Sequence, residues 1–213
     1  MQGVDFTQIL IGLTVLLFSL TVHEAAHAWT ADRLGDPTAR LLGRISLNPV
    51  VHIDPVGTIL FPLIAMFTNL PIIGWAKPVP VDLRRFREPR RHFMLVAAAG
   101  PASNLVLAVA ASAIWRVVGL SGAGIDGAPA ESVLTMLLLM AIYINVLLAL
   151  FNMIPVPPLD GGNVLAGLLP PRGAAVFERM RPWGFLILYG LMLSGVLSML
   201  VLPPMRLVLS WLI

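Results

Sequence analysis

Two imidazoles and a carboxylate close an otherwise apolar stretch: His23, Glu24 and His27, within Val22-His23-Glu24-Ala25-Ala26-His27. On a helix His23 and His27 share a face about one turn apart, so both rings can reach one metal ion while Glu24 projects beside them. This is the H-E-x-x-H spacing of zinc peptidases. The setting gives the motif weight. Ile9 to Leu20 contains no ionisable residue, and ionisable groups in a membrane-spanning segment are costly and therefore functional by default. The bland alternative is a hydrogen-bonded polar cluster without metal. A hydrolytic zinc site needs three protein ligands and an open position for water, so a third ligand must come from another segment.

The elements that could supply it are those of a membrane protein. The chain has 213 residues, 58% hydrophobic and 12% charged, against about 25% charged for soluble domains. We expect an all-α, multi-pass membrane protein, a single membrane-embedded domain over residues 1–213, with no second polar stretch long enough for a soluble domain. With no cysteine there is no disulfide, no thiolate zinc site and no cysteine nucleophile. The net charge is +3, and Arg84, Arg85, Arg87, Arg90 and Arg91 fall in one short loop. Such a cluster reports topology and lipid headgroups rather than nucleic acid. The first segment lacks a basic n-region and is expected to be retained.

The pattern predicts about four transmembrane helices, at about Phe6 to Trp29, Phe93 to Gly119, Val133 to Phe151 and Trp183 to Leu202. Residues after Pro203-Pro204 are too few to cross again. Val56 to Ile73 is broken by Pro62 and Pro71 and is expected to be re-entrant, returning through Gly74 to Val81 as a short extended or β stretch. A full span there would put Arg84 to Arg91 outside. The catalytic core would cover about 6–170 and the C-terminal span about 183–202. Arg33, Arg40 and Arg44 follow the first helix, and Arg172, Arg179 and Arg181 mark a later loop. The positive-inside rule places these in the cytoplasm, with the amino terminus and the Ser121 to Ala130 loop outside. The topology then singles out Asp160, delivered to the cytoplasmic side by the turn after the third full span, where His23 and His27 also lie. Asp32, Asp36 and Asp54 compete, but they sit in polar loops where solvation, turns and caps are the ordinary reading.

With these residues in view, the chain resembles the site-2 protease family of zinc intramembrane metalloproteases. The resemblance rests on His23-Glu24-Ala25-Ala26-His27 and on the stretch from Asn152 through Pro155, Leu159, Asp160 and Gly161 to Gly162, which is similar to that family's N-x-x-P-x-x-x-x-D-G signature. Further similarity lies in Asn48 to Pro55, Gly74 to Val81 and Ala99 to Asn104. It implies a compact prokaryotic member without PDZ or CBS domain. It also implies His23, His27 and Asp160 as ligands of one Zn2+ per chain, Glu24 as acid/base and Asn152 as donor to the oxyanion. The expected partners are the lipid bilayer and a membrane-protein substrate with an unwound transmembrane segment, in the cell membrane with the active site near the cytoplasmic side. Strand addition along Gly74, Trp75, Ala76, Lys77 and Pro78 could hold that substrate. No nucleic-acid partner is expected, and the oligomeric state is open.

Other polar residues have plainer readings. Asn152 could equally cap or bridge helices, and Asp160 could simply form a turn. Asn145, Asn104 and Ser103 are expected to hydrogen-bond between helices, and Gly100 to allow close packing. His52 reads as structural, His92 as interfacial. A transporter would show repeated halves with paired broken helices, which are not found.

Overall fold

The structure, a computed structural model, describes residues 6–60, 64, 75–118 and 133–213. The chain begins with α1 (Phe6–Arg33), followed by the single turn α2 (Thr38–Leu41), then α3 (Pro89–Val117) and α4 (Val133–Asn152). α1, α3 and α4 have 28, 29 and 20 residues, and about 20 suffice to cross a bilayer core. They are the helices long and apolar enough to do so among the described residues, and this is a membrane protein. Large apolar side chains such as Leu10, Leu13, Phe18, Val106 and Ile114 are exposed on their outer faces, where a lipid phase would solvate them.

α3 is the hub, packing on both α1 and α4. Pro89 opens it at a position whose N–H would lack a partner anyway. Ala108, Ala111 and Trp115 of α3 interlock with Leu138, Ile142 and Val146 of α4. Small residues at such interfaces let backbones approach closely.

After α4, a proline-rich turn leads into α5 (Asp160–Leu168), α6 (Pro171–Met180), α7 (Gly184–Leu193) and α8 (Val196–Leu212). Ile154 and Leu159 of the turn pack with Leu188 of α7 and Val201 of α8. At Gly161 a Cβ would lie 2.2 Å from the Met153 carbonyl oxygen. Only glycine lets the turn fold back so tightly on the end of α4.

The expected straight span from Trp183 to Leu202 is not formed. The chain breaks at Gly195, where φ is 75°, and the segments Pro171–Leu193 and Val196–Leu212 bend by 75° across it. A fourth crossing exists only if that bent pair is one span. Pro203-Pro204 do not end the last helix as the sequence suggested. Tertiary contacts outweigh their propensity: Met205 joins the α3–α4 core, and Ser112 and Arg116 of α3 donate to the carbonyls of Leu212 and Trp211, each at 2.6 Å.

No β-strand is present among the described residues, and 75–80 carry no regular structure. Pro55–Leu60 form a π-helical turn. Residues 61–63 and 65–74 lie outside the described residues, and with them most of the proposed re-entrant segment and Gly74. The loop that leads into α3 is anchored by Asp36, which is fully buried. The Asp36 carboxylate accepts from Thr38 N–H at 3.1 Å and from Asp82 N–H at 2.7 Å, tying the loop after α1 to the one before α3. Arg84, hydrogen-bonded beside Asp82, holds the Asp82 carboxyl below its usual range.

Candidate metal centre

His23 and His27 lie on the buried face of α1, and Asp160 is the first residue of α5. Their donor atoms converge. The two Nε2 atoms are 3.0 Å apart, and Asp160 Oδ2 is 3.0 Å from His23 Nε2 and 3.3 Å from His27 Nε2. A tetrahedral ion with bonds of about 2.0–2.2 Å separates its ligand atoms by about 3.3 Å. His23, His27 and Asp160 form the group of potential metal ligands found among the described residues. Asp32 instead pairs with Arg40 at 2.9 Å, and Asp54 accepts from the N–H groups of Val56 and Gly57.

The protons of the two rings follow from their other partners. His27 Nδ1 lies 2.7 Å from the Val96 carbonyl oxygen, which can only accept, so Nδ1 carries a proton and Nε2 is the nitrogen that offers a lone pair when the ring is neutral. His23 Nδ1 lies 2.6 Å from Asn104 Oδ1 and donates likewise. With both rings neutral, two bare nitrogens and a carboxylate oxygen face one point. That donor set suits a divalent cation, and histidine with aspartate is a zinc set. Gly100 makes room for it: a Cβ there would stand 2.4 Å from His27 Nε2 and 2.6 Å from His23 Cε1. The expected close packing at Gly100 is thus against the histidine rings.

The three donors open onto a cavity of about 590 Å³, which Glu24, Asn152, Trp75, Ala76 and Pro78 also line. Glu24 is half-buried, and its carboxylate has no hydrogen bond among the described residues. Asn152 reaches the cavity, but its Nδ2 donates to Leu148 O of its own helix at 2.9 Å. The expected substrate-binding stretch is only partly at the cavity. Lys77 is exposed and does not line the cavity; its N–H donates to His52 O at 2.9 Å and its carbonyl accepts from Arg44 at 2.5 Å. Phe185 of α7, unforeseen in the sequence, lies 5.7 Å from the Trp75 ring and closes the cavity from the C-terminal side. A smaller apolar groove of about 300 Å³ lies elsewhere on α1, between Ala26 and Leu47, and holds no titratable group.

Other polar residues sort plainly. His52 is buried, its Nε2 2.9 Å from Ser46 O. Asn104 and Asn145 do bond between helices, at 2.8 Å. Ser103 does not: it donates to Gly100 O within α3, because its hydroxyl is held by the preceding turn. His92 rests against the Phe86 ring at 5.6 Å.

Comparison with known proteins gives this geometry a lineage. The model of peptidase family M50 matches residues 117–195. A relative from Bacillus subtilis (strain 168), named "Putative zinc metalloprotease YwhC", is 39% identical over 192 residues, covering 90% of this chain and 84% of its own. The chain belongs to peptidase family M50. "Putative zinc metalloprotease Rip2" of Mycolicibacterium smegmatis is 33% identical over 183 residues, 85% of this chain and 66% of that one. The Rip2 of Mycobacterium tuberculosis (strain ATCC 25618 / H37Rv) is 28% identical over 182 residues, with the same coverages of 85% and 66%. The M50 chain thus spans about two thirds of the length of Rip2. No solved structure matches it. As an M50 peptidase, the protein is a zinc metalloprotease.

Proposed function

We propose that this M50 peptidase is an intramembrane endopeptidase that hydrolyses peptide bonds in or near transmembrane segments, with one zinc per chain held by His23, His27 and Asp160. The observation that carries the reading is the convergence of both Nε2 atoms and Asp160 Oδ2, with Glu24 beside them and unpaired among the described residues, between helices apolar enough to cross a membrane. Zinc bound there would polarise the scissile carbonyl and bring the pKa of water down to about 7. Glu24 takes the proton of the attacking water as its oxygen bonds to the carbonyl carbon. It then returns the proton to the nitrogen as the C–N bond breaks. Asn152, with one amide proton left after bonding Leu148 O, donates to the oxyanion.

A helical substrate must unwind before its carbonyl can be attacked. Trp75 N–H donates to Gly57 O at 3.2 Å and Trp75 O accepts from Thr58 at 2.8 Å, so Trp75 and Lys77 spend backbone groups on their own protein. The backbone of Ala76, between them, has no partner among the described residues. Successive residues of an extended chain point their backbone groups to opposite sides, so Ala76, with the carbonyl of Pro78 beside it, forms the edge on which an unwound substrate adds.

The arginines after α1 and around α6 support an active site near the cytoplasmic side of the cell membrane, by the positive-inside rule. Because the chain has no cysteine, Arg172→Cys is a clean topology probe. Labelling of that thiol only from outside the cell would overturn the orientation. The central test uses purified wild type and Glu24→Gln with a membrane-peptide library. Zinc retained and cleavage lost in Glu24→Gln supports the mechanism; equal cleavage by the two removes Glu24 from it.

A further inference from the structure

Behind His23 lies a chain of amides that the reaction does not touch. Asn104 and Asn145 are both buried, at 0% and 2% exposure. Asn145 Nδ2 donates to the Ala141 carbonyl of its own helix at 2.8 Å, and a carbonyl can only accept. That fixes Asn145 Oδ1 toward Asn104, whose Nδ2 donates to it at 2.8 Å and lies 3.3 Å from Ser19 O. Asn104 Oδ1 is thereby turned to His23 Nδ1, at 2.6 Å.

We propose that Asn104 and Asn145 are positioning residues that set the His23 tautomer, and through it zinc affinity. Each link allows one direction of donation only. The sequence runs Ala141 C=O, Asn145, Asn104, His23, and ends with Nε2, bare in the neutral ring, aimed at Asp160. His27 takes its proton partner from the backbone of Val96, which no side-chain substitution removes. His23 is therefore the ligand whose basicity and orientation side chains control. A merely adhesive role between helices predicts something different. An apolar pair of similar shape would then serve as well, because replacing both partners of a buried hydrogen bond is nearly neutral, and zinc would not feel the change.

The inference rests on the zinc reading, and the experiment separates the two. Zinc affinity is measured by chelator competition, and ligand geometry by the visible spectrum after Co2+ substitution, on the full chain in detergent. The proteins compared are wild type, Asn104→Leu, Asn104→Asp, Asn145→Leu and Ser112→Ala. Asn104→Leu is expected to bind zinc about 10- to 100-fold more weakly, with an altered cobalt spectrum. Asn104→Asp keeps an acceptor on His23 Nδ1 and regains most of the loss, and Asn145→Leu weakens zinc in the same direction by less. Ser112→Ala, which breaks the bond from α3 to Leu212 O, lowers stability without changing zinc affinity. Wild-type affinity and spectrum in Asn104→Leu overturn the proposal; if that variant does not fold, wild-type affinity in Asn145→Leu does so. A wild type that binds no zinc at all overturns the zinc reading itself, a different result from wild type and variants binding alike.

Discussion

The two sides of the His23–His27 pair are built on opposite terms. On the side facing α3 and α4, every ring nitrogen not aimed at Asp160 has a buried partner, Val96 O or Asn104 Oδ1. On the side facing the cavity, Glu24 has no partner among the described residues and Asn152 bonds only its own helix. The contrast separates holding from reacting. The direction of the proposed ligands is set by the folded helices, before any substrate arrives, whereas the groups proposed to handle the proton and the oxyanion are free to meet it. A buried polar group left unpaired costs about 1–3 kcal/mol, so this freedom is affordable only on the side that opens to the cavity.

The largest effect is expected from breaking the paired side where it is tightest. Gly100→Ala puts a methyl 2.4 Å from His27 Nε2 and 2.5 Å from its Cε1. Within a helix this change favours folding by roughly 1 kcal/mol in propensity, and the collision is with ring tips rather than backbone. The variant should therefore fold yet lose zinc, and all cleavage with it, as read by metal analysis and peptide cleavage together. A Gly100→Ala protein with full zinc would show that the rings have room that the structure denies them.

Next comes the cavity side. Glu24→Gln should lower kcat by about 10²- to 10⁴-fold, the usual contribution of a general acid/base, at unchanged zinc content. That dissociation of cleavage from metal is what separates the two sides. If zinc falls along with activity, Glu24 belongs to the holding side and the comparison fails. Asn152→Ala follows with a smaller loss in kcat, up to about 10²-fold. Only one bond within its own helix is lost, so thermal stability should hardly move. A large drop in stability with little change in kcat would return Asn152 to a helix-bridging role.

The cavity side was also the more legible in sequence. His23, Glu24 and His27 declare themselves because helical spacing alone puts them together, and the prolines and glycines around Asp160 announce the turn that brings it back. The partners behind the rings have no such signature. Asn104 is 81 residues from His23 and Asn145 is 41 residues from Asn104, and contacts between helices leave no period in the chain. A hint existed in Gly100 and Asn104, four apart and so on one face of a long apolar helix. Their expected roles, close packing and interhelical bonding, were right in kind but did not point to the histidines. The last helix was misread for a related reason: Pro203-Pro204 signal a stop, while the contacts of Met205, Leu212 and Trp211 that override it are made by residues of distant helices.

The mildest prediction concerns the far wall of the cavity, where the fold does part of the pairing itself. Trp75 and Lys77 already bond Gly57, Thr58, His52 and Arg44, which leaves Ala76, among the described residues of this stretch, with a backbone open to the proposed substrate strand. Ala76→Pro deletes that N–H and no bond seen among the described residues. One lost backbone bond to a substrate strand should raise KM by about tenfold, with kcat and zinc content unchanged. A substitution that lowers kcat instead would place Ala76 among the groups that act on the reacting bond. One that changes neither constant would mean that the substrate is held elsewhere, with Trp75 and Phe185 serving only to close the cavity.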